Sequence, residues 1–160
     1  MLAQAEQGLV NEAESTCLNF VREAVNKEYK LRVLDALACH FLYKPSSPWL
    51  NLAEKLARLG LEIVPGTLTL KGTLGAILTE QGKFAEAEPL LRECLERSPG
   101  QHDQGISSVY LGFIRLREGK TEEGKRLVEH GTILYPEPWL VAKANAKLAA
   151  GSEDQRLKLS

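Results

Sequence analysis

Three histidines, three cysteines and scattered carboxylates are the side chains of this 160-residue chain that could do chemistry. Metal binding needs ligands at fixed short spacings, such as His-Glu-x-x-His on one helix face or paired Cys-x-x-Cys. His40, His102 and His130 stand singly, and Cys17, Cys39 and Cys94 are far apart in sequence. His40 falls inside an apolar helical run, which reads as a packed interhelical imidazole. The cysteines fall where small residues pack, and Cys94 follows Ala87 by seven residues on one inward stripe. Thiols buried in apolar surroundings stay protonated and inert. A phosphate cradle needs a glycine-rich turn between a strand and a helix. Gly72 and Gly75 instead lie within a helical pattern. Glu86 and Glu88 read as solvated outer-face carboxylates. No catalytic constellation emerges, so the expectation is a non-enzymatic chain without cofactor or metal.

Composition narrows the class. The chain is 44% hydrophobic and 26% charged, enough for one unit with a substantial core. Lys and Arg number 20 against 21 Asp and Glu, whereas nucleic-acid binders usually carry a basic stripe. No apolar run approaches the ~20 residues that span a bilayer. The first residues, Met1 to Gln7, show neither the basic start nor the apolar run of a signal peptide. The expectations are no nucleic acid, no membrane, and a reduced, cytoplasmic setting, since three cysteines do not form a disulfide framework.

The elements are helical throughout. Leu70, Leu74, Ile77 and Leu78, then Phe84, Ala87, Leu91, Cys94 and Leu95, form two apolar helical stripes flanking Gln81-Gly82-Lys83. That is a helical hairpin, with Gly82 as its left-handed turn and Pro99 as a stop. Gly75 and Ala87, one on each helix, allow close approach. Met1 to Gln7 read as a helix end, turned at Gly8 into a helix from Leu9 to about Asn26. A further helix covers Tyr29 to Tyr43, and the next runs to Gly60 with Ser47 as N-cap and Pro48 at the first helical position. Asp103 and Thr121 are the expected caps of the third hairpin, followed by a last helix from Trp139 to Ala150 and a flexible tail over 151–160. The expectation is an all-α fold of eight or nine helices.

The hairpin repeats. Gly119-Lys120 follows Gly82-Lys83 by 37 residues, Pro136 follows Pro99 by 37, and Pro99 follows Pro65 by 34. Glu6-Gln7-Gly8-Leu9-Val10-Asn11-Glu12-Ala13-Glu14 nearly copies Glu80 to Glu88. A period near 34 marks a helical solenoid. The central unit places Leu74-Gly75, Leu78, Ala87, Leu91 and Pro99, and the next places Leu111-Gly112, Arg115, Gly124, Val128 and Pro136. In this pattern the chain resembles the tetratricopeptide repeat family. The resemblance implies a right-handed solenoid over 1–150, with repeats near 1–28, 29–66, 67–100 and 103–136 and a capping helix over 137–150. The chain starts inside a repeat, which fits either a degenerate first unit or a piece of a longer protein.

In that family the first helix of each hairpin lines a concave groove. Carried over by register, the groove comprises Asp35, Ala38 and Leu42, then Thr69, Gly72, Ala76 and Thr79, then Ile106, Val109, Phe113 and Leu116. Arg117, Leu140, Lys143 and Lys147 complete it. Ile106, Val109, Phe113 and Leu116 make an apolar stripe beside the hollow at Gly72 and Ala76. The three cations suit a partner protein or peptide that is acidic and amphipathic. Phe113→Ala should then weaken binding and spare stability. The alternative is that the end helix, or the Leu157–Leu159 tail, covers the stripe. The family's clamp for acidic chaperone tails does not carry over, because its places hold Ala38, Leu42, Thr73, Ile106 and Tyr110. The leading expectation is a protein–protein interaction scaffold; the alternative is a regulatory, assembly or oligomerisation domain of a larger multidomain protein. An apolar N-terminal edge at Leu9 and Val10 carries the expectation of self-association.

Overall fold

A computed structural model describes residues 2–44 and 46–159, with side chains described over 3–44 and 46–151. Among the described residues there are eight helices and no strand: α1 (Leu2–Glu23), α2 (Lys27–Leu42), α3 (Ser47–Ile63), α4 (Leu68–Glu80), α5 (Phe84–Arg97), α6 (Gln101–Arg117), α7 (Thr121–Leu134) and α8 (Pro138–Leu159). No described helix is long and apolar enough to cross a membrane.

The helices pair as hairpins, α2 with α3, α4 with α5, and α6 with α7. The first helices also pack on one another in turn, α2 on α4, α4 on α6, and α6 on α8. Two of the turns are the same motif. Gly82 has φ +77° and Gly119 φ +79°. Lys83 N–H donates to Leu78 C=O at 2.8 Å and Gly82 N–H to Thr79 C=O at 3.0 Å; Lys120 to Arg115 and Gly119 to Leu116 repeat this at 2.9 and 3.1 Å. These paired bonds satisfy carbonyls that a helix end leaves free, and glycine takes the left-handed conformation without a Cβ clash.

Gly8 departs from the expected turn: α1 runs straight through it. Glu6 accepts from Ser46 Oγ, which ties α1 to the start of α3. The expected N-caps also shift. Ser46 rather than Ser47 precedes α3, Gly100 rather than Asp103 precedes α6, and Lys120 rather than Thr121 precedes α7. α8 continues to Leu159 instead of ending at Ala150.

Small residues set the hairpin spacing. A Cβ on Gly75 would lie 2.6 Å from Leu91 Cγ and 3.3 Å from the Ala87 carbonyl oxygen. The α6–α7 pair is closer still: a Cβ on Gly131 would lie 2.5 Å from the Gly105 oxygen, and one on Gly112 2.8 Å from the Gly124 oxygen. Ala87 itself is fully buried. Ala87→Leu therefore adds volume between two backbones, and overpacking of this kind costs ~1–3 kcal/mol. A urea titration should show a lower midpoint for Ala87→Leu, and an unchanged midpoint would remove Ala87 from the helix contact.

Candidate functional site

The structure divides the expected groove residues into two groups. Leu42, Gly72, Ala76, Ile106 and Val109 are buried, so they are core rather than groove lining. Val109 shows why. Its Cγ2 would lie 2.6 Å from a Cβ on Gly131, so it faces α7. Gly72 faces Cys94 and Ser107 in the same way. α6 is buried without a break from Gly105 to Arg115, because α4, α5, α7 and α8 all pack on it. Leu140 and Ala144 of α8 are themselves buried. Thr69 donates its hydroxyl to Asp103 Oδ2 at 2.9 Å. The side chains of Leu157 and Leu159 lie outside the described residues.

The remaining group meets at one end of the stack. Phe113, Leu116, Arg117 and Lys147 line a cleft of about 920 Å³ together with Phe84, Glu80 and the two turn glycines. The matching turns after α4 and α6 place these helix ends side by side. Phe84, at the start of α5, and Phe113 give the cleft an aromatic wall. The Arg117 guanidinium carbon lies 5.3 Å from the Phe84 ring centre, and Lys147 Nζ lies 5.9 Å from that of Phe113. Neither cation has an ion-pair partner among the described residues. The third expected cation, Lys143, differs: it is paired with Glu80, which also accepts from Tyr110 Oη at 3.1 Å. Phe113 is only 7% exposed and packs edge-on to Tyr110 at 5.3 Å between ring centres.

A polar ladder runs between the first helices, from the first turn of α4 to its middle. Thr73 Oγ1 donates to Asp35 Oδ1 at 2.7 Å, and the Cys39 thiol donates to Thr73 at 3.5 Å. One repeat along, Thr69 and Ser98 both donate to Asp103 Oδ2, and His102 Nδ1 stands 3.0 Å from Asp103 Oδ1. Cys39 to Thr73 and Thr69 to Asp103 each span 34 residues, the repeat period. Burial raises the Asp35 pKa, with Thr73 opposing and Asp103 adding to the rise. Burial, then Asp35, pushes the Cys39 thiol up to about 12. Burial also works to raise Asp103, but hydrogen bonds from His102, Ser98 and Thr69 outweigh it and hold the carboxyl below 3.8. The Asp103 hydrogen bond raises His102 above 6.5, against the effect of burial. Among the described residues no group of three metal-binding side chains converges. The ladder joins helices; it does not assemble a nucleophile with a base.

Glu88 corrects a further expectation. It is no solvated carboxylate: it binds Arg115 and Arg92, and the Arg115 hydrogen bond leads in lowering its pKa to about 2. The Arg115 side chain is 5% exposed and also contacts Glu118 at 2.9 Å and Glu123 at 3.0 Å, joining α5, α6 and α7. The visible signal was an arginine at a place the repeat pattern gives to a large apolar residue, with acids three and eight residues on.

Compared with known proteins, the chain matches no family model, no curated protein and no solved structure.

Two measurements follow from this geometry. Phe113→Ala removes a buried ring, and such truncations cost ~3–5 kcal/mol. Urea unfolding should show a loss of that order, and a shift below about 1 kcal/mol would return Phe113 to an open surface. The His102–Asp103 pair should show in the difference between wild type and His102→Ala. The raised His102 contributes fully below pH 6.5 and loses its contribution as pH rises through the folded value. The lowered Asp103 contributes above pH 3.8 and loses its contribution as pH falls through its folded value. The difference should peak between these limits at under about 1 kcal/mol, because the pair is partly exposed. A difference that grows toward pH ~9 would exclude the pair.

Proposed function

We propose that the chain is a tetratricopeptide-like stack of helical hairpins, and that it works as a non-enzymatic module binding an apolar, acid-flanked peptide or helix in the cleft beside α4, α6 and α8. The repeated turn motif, the hairpin pairing and the contacts at 34-residue separation support the first part. One observation carries the second: Arg117 and Lys147 stand exposed over the aromatic wall of Phe84 and Phe113 without carboxylate partners among the described residues. Nearby cations are engaged, Lys143 with Glu80, Lys83 with Glu54 and Arg115 with Glu88. A cation over a ring keeps most of its field for an incoming carboxylate, while the partly exposed Phe84 ring, backed by the buried Phe113, takes an apolar side chain. Cations without carboxylate partners among the described residues, set beside an aromatic wall, therefore favour a ligand that brings both.

Selection of a random phage-displayed peptide library on the full chain tests this reading. Enriched peptides should combine apolar anchors with Asp or Glu. They should bind the Arg117→Glu/Lys147→Glu variant at least about tenfold more weakly, equivalent to ~1.4 kcal/mol. Both side chains are exposed, so the variant should melt like wild type. Peptides without acids, or equal binding by the variant, would overturn the reading.

A further inference from the structure

α8 does more than extend the stack. Each first helix adjoins the next, α2 with α4 and α4 with α6. α8 takes its turn against α6 and α7, yet its side chains reach back across all three hairpins. Trp139 packs on Tyr43, the residue that follows α2, at 4.4 Å between ring centres. Lys143 is paired with Glu80, the last residue of α4. Lys147 Nζ lies over the Phe113 ring of α6. These three residues are four apart, so one face of α8 meets one hairpin at about every helical turn.

The contact differs in kind from the hairpin crossings. Those are closed by glycines whose added Cβ would meet a carbonyl oxygen. On α8, Leu140 and Ala144 are the buried side chains among those described, and a Cβ on Gly151 would meet nothing within 4 Å. Two apolar anchors four residues apart, an aromatic contact and an ion pair hold the helix. That is how an amphipathic helix sits in the groove of a second protein. The link to α7 suits a helix that can part from the stack. Residues 135–137 are not helical, and Pro136 cannot carry α7 on into α8. α8 can therefore leave without unwinding its neighbour.

The cost of leaving specifies the partner. Without α8, the Phe113 ring loses Lys147, and Glu80 loses Lys143 while keeping the Tyr110 hydroxyl. The Glu80 side chain is only 20% exposed, so it needs a cation in return. We propose that α8 is a built-in ligand that keeps a helix-binding groove on α2, α4 and α6 closed, and that a partner helix of the same chemistry displaces it. Such a helix carries an aromatic residue and two cations at four-residue spacing, beside a leucine and a small residue. Its aromatic ring answers Tyr43, its first cation answers Glu80, and its leucine fills the seat of Leu140. The inference goes beyond the cleft reading and does not need it, because neither Arg117 nor Phe84 takes part.

A fluorescent peptide of residues 137–151, titrated by anisotropy into the full chain, tests it. The tethered α8 outcompetes a free copy of itself, so wild type should bind the peptide weakly. Lys143→Glu sets α8 against Glu80 and should raise the affinity for the peptide at least about tenfold. Glu80→Lys/Lys143→Glu rebuilds the pair with its charges exchanged and repels the lysine of the peptide, so the affinity should fall back to the wild-type value or below. Hydrogen exchange on the wild-type chain needs no variant. The amides of Leu140 to Lys147 should exchange at least about tenfold faster than those of α4 and α6, because α8 opens while the hairpins stay folded. Equal peptide binding by wild type and Lys143→Glu, a double variant that keeps the gain, or α8 amides that exchange only with the whole fold would each overturn the proposal.

Discussion

The closeness of the helix backbones within each hairpin is the constraint from which the rest of the structure follows. Between α6 and α7 there is no room for a Cβ at Gly131 or Gly112: each would meet a carbonyl oxygen at 2.5 or 2.8 Å. Small residues at the crossing gain dispersion contacts over the whole length of both helices, at the cost of glycine's extra entropy loss. That closeness buries α6 on every side, and it leaves Tyr110 and Val109 with no exposed surface. It also brings the ends of α4 and α6 side by side, which shapes the cleft beside them.

Much of the architecture was legible because its signals are local. Gly82 and Gly119 announce their turns through a conformational preference that needs no tertiary context. Helical spacing fixes which side chains share a stripe. The 34-residue period reappears as contacts between Cys39 and Thr73 and between Thr69 and Asp103. The caps were less legible, for a physical reason. Asp103 has the chemistry of an N-cap, but its carboxylate is taken by Thr69 and Ser98, and the helix begins earlier, after Gly100. A tertiary demand outweighed a local one. Gly8 shows the reverse case: the turn sequence is present, and the chain stays helical through it.

The groove was the least legible part, because which face of α6 stays open depends on the course of α8, a non-local matter. Ile106, Val109 and Phe113 share a stripe by spacing, yet spacing cannot say that Val109 meets Gly131. The two ends of α6, residues 101–104 and 116–117, escape this covering, and of these the last turn borders the cleft. The Arg115 network was hidden for a related reason. Its partners come from α5, α7 and the turn after α6, and its near-complete burial beside three carboxylates makes sense only after those helices pack. With the Arg115 side chain 5% exposed, removing all three carboxylates would strand its charge, whereas removing one leaves it two partners.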